Sequence, residues 1–518
     1  MADEVVRPQD ILEGDLRDRL KKAVVAAYMA TSVIDDASGH SIKRFVNMEA
    51  EGDSIRFNYE ASIIGENYPV YCTYPSGDWN LNVRFGPDLG DYPGFTAINV
   101  GGAWEDLEAQ VDSWLDPWLE CPNPNAFQNQ INSVARIASQ LNIGGGDASG
   151  GPPGGDTDLR EAVKTISNRA FGRSNALVAF RDAYASDLWT TINNQCGMAS
   201  AAGLAMTAEG AAWSETYRTL RDLIQVAIGD FNSLAGSQGS GDGAALAATS
   251  AVAGLLGATA GVAFPPFGVA MGGLSAVIGV YTVMYPAVPA VDTSALRLTG
   301  GDYYAMWESF VEEVRRVSTD LAKAEEAVAD GCRRVVADTV AHPESYSLSR
   351  STSKGKQYDD FGAALVEEID LPKNLLREMS GAAELIGDQQ TQLAGFVVGN
   401  DATGTAPSST VRDEWYRGAL PDGSRIGMDA GYGDGPFEAY SDHIDALAEL
   451  LRTEGGNSHR MAEALMLTAL DFDRTDELSA EESRRVQRQI DASASSMDHN
   501  PLYAGNDPND PWHQQYAN

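Results

Sequence analysis

The residues best placed to do chemistry lie near the C-terminal end. Between Asp471 and Glu482, oxygen-bearing side chains recur at Asp471, Asp473, Thr475, Glu477, Ser479 and Glu482. Counted from Asp471, these occupy positions 1, 3, 5, 7, 9 and 12, with Leu478 at the apolar position 8. A hard divalent cation takes about six to eight oxygen ligands, and this spacing can present them to calcium. Position 6, where a glycine would make the sharp turn, is Asp476. Ser479 and Glu482 also read as a capping box that opens a last helix, with Asp471 and Asp473 merely ending the one before. Both readings stand at this point, and calcium is the one cofactor considered.

Other chemistry is hard to find. The chain has no phosphate-binding Gly-x-x-x-x-Gly-Lys loop, no Gly-x-Ser-x-Gly elbow and no His-Glu-x-x-His pair. The six histidines (His40, His342, His443, His459, His499 and His513) are scattered, none four residues from another. No catalytic residue is assigned, and the reading leans away from an enzyme. Cys72, Cys121, Cys196 and Cys332 form no Cys-x-x-Cys pair. They read as buried free thiols, with Cys72–Cys121 and Cys196–Cys332 as alternative bridges.

The most informative stretch carries no charge at all. Between Asp242 and Asp292 there are 49 consecutive uncharged residues, creased at Pro265-Pro266. The arms on either side, 244–264 and 267–285, have 21 and 19 residues. About 20 apolar residues let a helix cross a bilayer. Gly254, Gly257 and Gly261 recur along one arm, and Gly268, Gly272 and Gly279 along the other. Small residues of this kind let two helices approach closely in lipid. The segment 244–285 therefore reads as an apolar helical hairpin. It is equally well read as a hairpin permanently buried inside a soluble bundle, because the arms are rich in Ala and Gly rather than Leu. The nearest cations, Arg221 and Arg297, lie too far away to orient it.

The elements around it are mostly helical. The chain has 518 residues with 74 Asp+Glu against 37 Lys+Arg, a formal charge of −37. That field argues against nucleic-acid binding, which needs phosphate-neutralising cations. Residues 1–142 read as a small α+β domain. A helix spans 11–33, short strands fall at 41–48, 54–64, 69–74 and 80–85, and further helices follow Gly101-Gly102 and span 127–141. Trp104, Leu107, Val111, Trp114, Leu115 and Trp118 mark one apolar helix face, expected in the core. A Gly/Pro linker covers 143–156. Residues 157–398 read as a long helical bundle holding the hairpin, with Gly197, Gly203 and Gly210 as places where the first long helix breaks. Residues 399–436 read as a loop, and 437–518 as C-terminal helices and a tail. The fold class is mainly α.

Three resemblances follow from these residues. The long paired helices, the Arg-over-Lys usage and an N-terminus (MADEVVRPQD) without a Sec-type signal resemble actinobacterial WXG100-like helical proteins of type VII (ESX) secretion. Trp213-Ser214-Glu215 stands where that family has its Trp-x-Gly turn, with the glycine missing. The family's Tyr-x-x-x-Asp/Glu signal has counterparts at Tyr74–Asp78, Tyr304–Glu308 and Tyr503–Asp507. The order long helix, apolar hairpin, long helix is similar to α-helical pore-forming toxins of the ClyA type. The run Asp471–Glu482 resembles the EF-hand calcium loop.

The sequence thus leads to a non-enzymatic, membrane-interacting or secretion-associated protein, pore formation included, acting through 244–285. Its partners would be a membrane, a helical protein or further copies of itself, with no nucleic acid. It would be secreted by a non-Sec route or membrane-associated, with the cytoplasm as the alternative. A soluble scaffold with a buried hairpin is the competing reading, and an enzyme without a recognisable motif the third.

Overall fold

A computed structural model describes residues 8–12, 14–36, 42–51, 54–63, 66–76, 79–81, 100–144, 156–169, 185–239, 298–348, 373–399, 415–429 and 434–474, together with 485 and 488. Helix α1 (Pro8–Leu12) and helix α2 (Asp15–Asp36) share the first helical pattern, divided near Gly14. Strands β1 (Ile42–Glu51), β2 (Ser54–Ile63), β3 (Glu66–Tyr74) and β4 (Trp79–Leu81) form an antiparallel meander in sequence order. The pleat explains its one-sided burial: Phe57, Tyr59 and Ala61 point inward while Arg56, Asn58 and Glu60 alternate outward. Phe57 pairs with Cys72, and Tyr59 with Val70, so the buried faces of neighbouring strands coincide. The Tyr59 hydroxyl donates to the Met29 carbonyl at 2.7 Å, tying the sheet to α2.

Helix α3 (Val100–Leu119) buries the whole Trp-rich face expected of it. On its opposite side Asp112 and Asp116 accept from Arg17, and Asp112 also pairs with Lys21, fastening α3 to α2. A short 3-10 turn (Pro124–Phe127) leads into helix α4 (Gln128–Leu141), and helix α5 (Thr157–Arg169) follows, started by Asp156 accepting from the Leu159 amide at 2.8 Å.

The centre of the molecule is helix α6 (Ser186–Gly239), 54 residues without a break. The expected breaks at Gly197, Gly203 and Gly210 are not there. At about 1.5 Å per residue the helix is about 80 Å long. A glycine costs a helix only about 1 kcal/mol, and burial against α2, α4 and the later helices outweighs it. Gly210 lies beside the Pro124 carbonyl and the Phe127 ring, where a Cβ would make ordinary van der Waals contact with both. Trp213-Ser214-Glu215 sits inside this continuous helix, with no turn.

Helix α7 (Tyr303–Ala341) is capped by Asp302, whose Oδ1 accepts from the Ala305 amide at 2.9 Å, and it packs along α6. A single turn, α8 (Pro343–Tyr346), follows. Helix α9 (Lys373–Val397) and helix α10 (Phe437–Arg474) lie against each other along their length. Residues 349–372, within the expected helical bundle 157–398, lie outside the described residues.

Two apolar cores result. The larger unites the sheet, α1 to α4, most of α6, α7, the C-terminal end of α9 and the N-terminal half of α10. The smaller joins α5, the start of α6, the N-terminal half of α9 and the C-terminal end of α10. Ile143, at the start of the expected linker, is fully buried in the smaller core. A polar layer separates them. Gln390 Nε2 donates to Gln195 Oε1 at 2.9 Å, Ser458 Oγ donates to Gln390 Oε1 at 3.2 Å, and Gln195 Nε2 donates to the Tyr346 carbonyl at 3.2 Å. Beside them Glu454 accepts from Ser347 Oγ at 2.5 Å, the Leu348 amide at 3.0 Å and Asn457 Nδ2 at 3.0 Å.

All four cysteines are free and buried, so neither alternative bridge forms. Among the described residues, no helix is long and apolar enough to cross a membrane. The hairpin 244–285 lies outside them.

A buried carboxylate–arginine centre as candidate functional site

Residues 399–436, expected to be a loop, contain the most unusual chemistry in the protein. Trp415 to Asp429 is folded onto the helices. A tight turn is closed by the Leu420 amide donating to the Ser424 carbonyl at 2.8 Å, with a bridge between Ala419 and Arg425. The segment is anchored by the fully buried Trp415 indole, which meets Phe127, Phe437 and Tyr440 at centroid distances of 5.1, 5.5 and 5.7 Å.

Two residues on, Arg417 has no solvent exposure. Its guanidinium lies between two carboxylates that are equally enclosed, Glu209 of α6 and Glu325 of α7. Arg417 Nη2 donates to Glu209 Oε1 at 2.7 Å and to Glu325 Oε1, and Arg417 Nε donates to Glu325 Oε1 at 3.1 Å. The remaining donor, Nη1, reaches the Trp415 carbonyl. Trp213 Nε1 donates to Glu209 Oε1 at 2.9 Å, and the Met428 amide donates to Glu325 Oε2. The guanidinium also stands over the Trp213 ring, 5.1 Å from its centroid.

The backbone is shaped to allow this approach. At Gly418 a Cβ would fall 2.0 Å from the Pro117 carbonyl oxygen, so only glycine fits against the end of α3. At Gly427, where φ is +76°, a Cβ would fall 2.3 Å from Glu325 Oε2. A side chain there would meet both a strained backbone and the carboxylate.

The electrostatics are unbalanced, with two acids sharing one cation. Burial and the neighbouring Glu325 push the Glu209 carboxyl up to about 8, more than Arg417 pulls it down. Glu209 Oε2 faces no hydrogen-bond donor, and Glu325 lies close enough to share its proton. Cys121 Sγ accepts from the Gly418 amide at 3.5 Å, and burial drives its thiol to about 12, so it stays protonated and unreactive.

Of the site residues expected from sequence, only Asp471 and Asp473 fall among the described residues. Asp471 and Asp473 belong to the last turn of α10, which runs on as helix to Arg474. Thr475, Glu477, Ser479 and Glu482 lie outside the described residues, as do Gly254, Gly257, Gly261, Pro265, Pro266, Gly268, Gly272 and Gly279. Among the described residues, no three His, Cys, Asp or Glu side chains gather as metal ligands would. The signal for the buried centre was nevertheless present. Glu209 is the only charged residue of the stretch 188–214, and Trp415 and Arg417 stand out in a polar segment.

Comparison with protein-family models, with curated proteins and with solved structures finds no match to this chain.

Proposed function

We propose that this protein is a non-enzymatic helical protein that interacts with membranes through its apolar segment 244–285, pore formation and a link to secretion included. One observation carries this reading. Helix α6 ends at Gly239, and the Leu298 amide donates to Asp230 Oδ2 at 3.1 Å. Asp230 is within three turns of the end of α6. Nearby, Phe231 meets Tyr303 at a centroid distance of 6.4 Å, and the Tyr303 amide donates to Thr31 Oγ1 at 3.1 Å. The described residues that flank the uncharged stretch, Gly239 and Leu298, thus lie toward one end of α6. Flanking residues this close to each other suit a hairpin of two arms creased at Pro265-Pro266, each long enough to span a bilayer. The enclosed centre at Glu209, Glu325 and Arg417 ties together α6 and α7, the helices that carry the segment.

Dye-loaded phosphatidylcholine vesicles test this with the full chain. The protein binds them and releases dye, whereas Leu256→Asp and Gly272→Asp variants that keep the wild-type melting temperature do neither. Variants that release dye as well as the parent would remove the hairpin from the explanation. A parent that ignores vesicles would leave the soluble scaffold.

A further inference from the structure

We propose that Glu209, Glu325 and Arg417 form a proton-operated clasp: one proton held between the two carboxylates keeps residues 415–429 seated on α6 and α7, and its removal loosens that segment. The inference is independent of the proposed function.

The argument begins with counting. Two carboxylates and one guanidinium, all without solvent contact, sum to −1 if every group is ionised. An uncompensated charge in such a place is far costlier than a protonated acid. The hydrogen bonds say which acid keeps the proton. Glu325 takes two bonds from Arg417 on Oε1 and one from the Met428 amide on Oε2, so both its oxygens have donors and one lone pair stays open toward Glu209. Glu209 takes one from Arg417 and one from Trp213, both on Oε1, leaving Oε2 without a donor. A proton on Glu209 satisfies both the charge and the geometry.

Among the described residues, the surrounding groups do not supply a second cation in the cavity. From α6 comes Tyr217, whose hydroxyl donates to the Pro122 carbonyl at 3.1 Å and which burial keeps protonated. From the end of α3 come Glu120 and the protonated Cys121. From α10 comes the buried Tyr440, also held protonated by desolvation, and just before that helix lies the buried Asp434. Arg425 of the segment itself is turned outward, donating to the Tyr416 hydroxyl at 3.2 Å and to the Arg417 carbonyl at 3.0 Å.

Besides the buried Trp415 ring and the Gly418 amide on Cys121, further ties hold the segment. The Gly427 amide donates to Ser318 Oγ at 3.1 Å, Ser318 Oγ donates to the Arg425 carbonyl at 3.2 Å, and Arg315 pairs with Asp422 at 2.7 Å in a partly exposed setting. Lifting the segment removes Arg417 from both acids and lets water reach them. In the open form Glu209 ionises like an ordinary glutamate, so the closed form holds one proton more. The opening constant then rises tenfold per pH unit, from the ordinary glutamate range until the closed site itself ionises.

Hydrogen exchange of the full chain, read by mass spectrometry on peptides covering 416–428, measures this directly. Protection factors, with the intrinsic pH dependence of exchange removed, should fall about tenfold per unit between about pH 6 and about pH 8. In Glu209→Gln, a neutral mimic of the protonated acid, they should stay level. Glu325→Gln leaves one carboxylate on one guanidinium and should also be level, which keeps the test available if the first variant does not fold. A level wild-type profile would overturn the clasp, and so would a variant whose slope matches the wild type.

Discussion

Replacing Glu454 by Gln should change how stability depends on pH, and the change can be worked out beforehand. Glu454 is fully enclosed in the polar layer between the two cores. Desolvation raises its carboxyl from the ordinary 4.5 to about 7, against the opposing hydrogen bonds from Ser347, Leu348 and Asn457. A raised folded value means that the native state holds a proton the unfolded chain releases. The resulting stability is fully present below about pH 4.5 and is lost as pH rises through about 7. A difference of about 2.5 units at 1.36 kcal/mol each makes the loss about 3 kcal/mol. Glutamine has the same shape and no such titration. Urea denaturation of both proteins at pH values from about 4 to about 8 gives the difference in unfolding free energy. That difference should shift by about 3 kcal/mol against the wild type between pH 4.5 and 7 and be flat on either side. A difference constant with pH would mean that Glu454 ionises alike in both states, and the argument from burial would be wrong. The buried His443 works in the opposite sense. Its Nε2 lies 3.0 Å from the Met198 carbonyl, and desolvation lowers the ring to about 4, so its share is lost as pH falls. It is common to both proteins and cancels from the difference.

Gly427→Ala should lower stability by about 2 kcal/mol or more, because the new Cβ meets both a left-handed backbone and Glu325 Oε2; a thermal melt within a degree of the parent would contradict it. The four buried thiols should resist a thiol-specific reagent in the native protein and all react in denaturant, and rapid native labelling of Cys121 or Cys196 would conflict with their burial.

How much could be read in advance depended on the range over which each signal acts. Periodic signals were legible. The stripe from Trp104 to Trp118 and the alternation Phe57, Tyr59, Ala61 name their own element and their own buried face, because period and burial have the same cause. The breaks expected at Gly197, Gly203 and Gly210 failed because a local propensity was weighed without the packing on every side of α6. The segment around Arg417 was hidden for a different reason. Glu209, Glu325 and Arg417 are separated by 116 and 92 residues, and nothing in a sequence shows that three such positions meet. A composition rich in Gly, Ser and Asp reads as a loop, but the buried Trp415 and Arg417 show that irregular backbone can still be core.

The unbroken run of α6 has one more consequence. It is a stiff strut shared by both cores, and Glu209 lies 30 residues, or about 45 Å, from the end where the uncharged stretch departs. A strut with no joint moves as one piece. A load applied along its axis at Gly239 therefore acts on Glu209 through continuous helical backbone, without any relay of side chains.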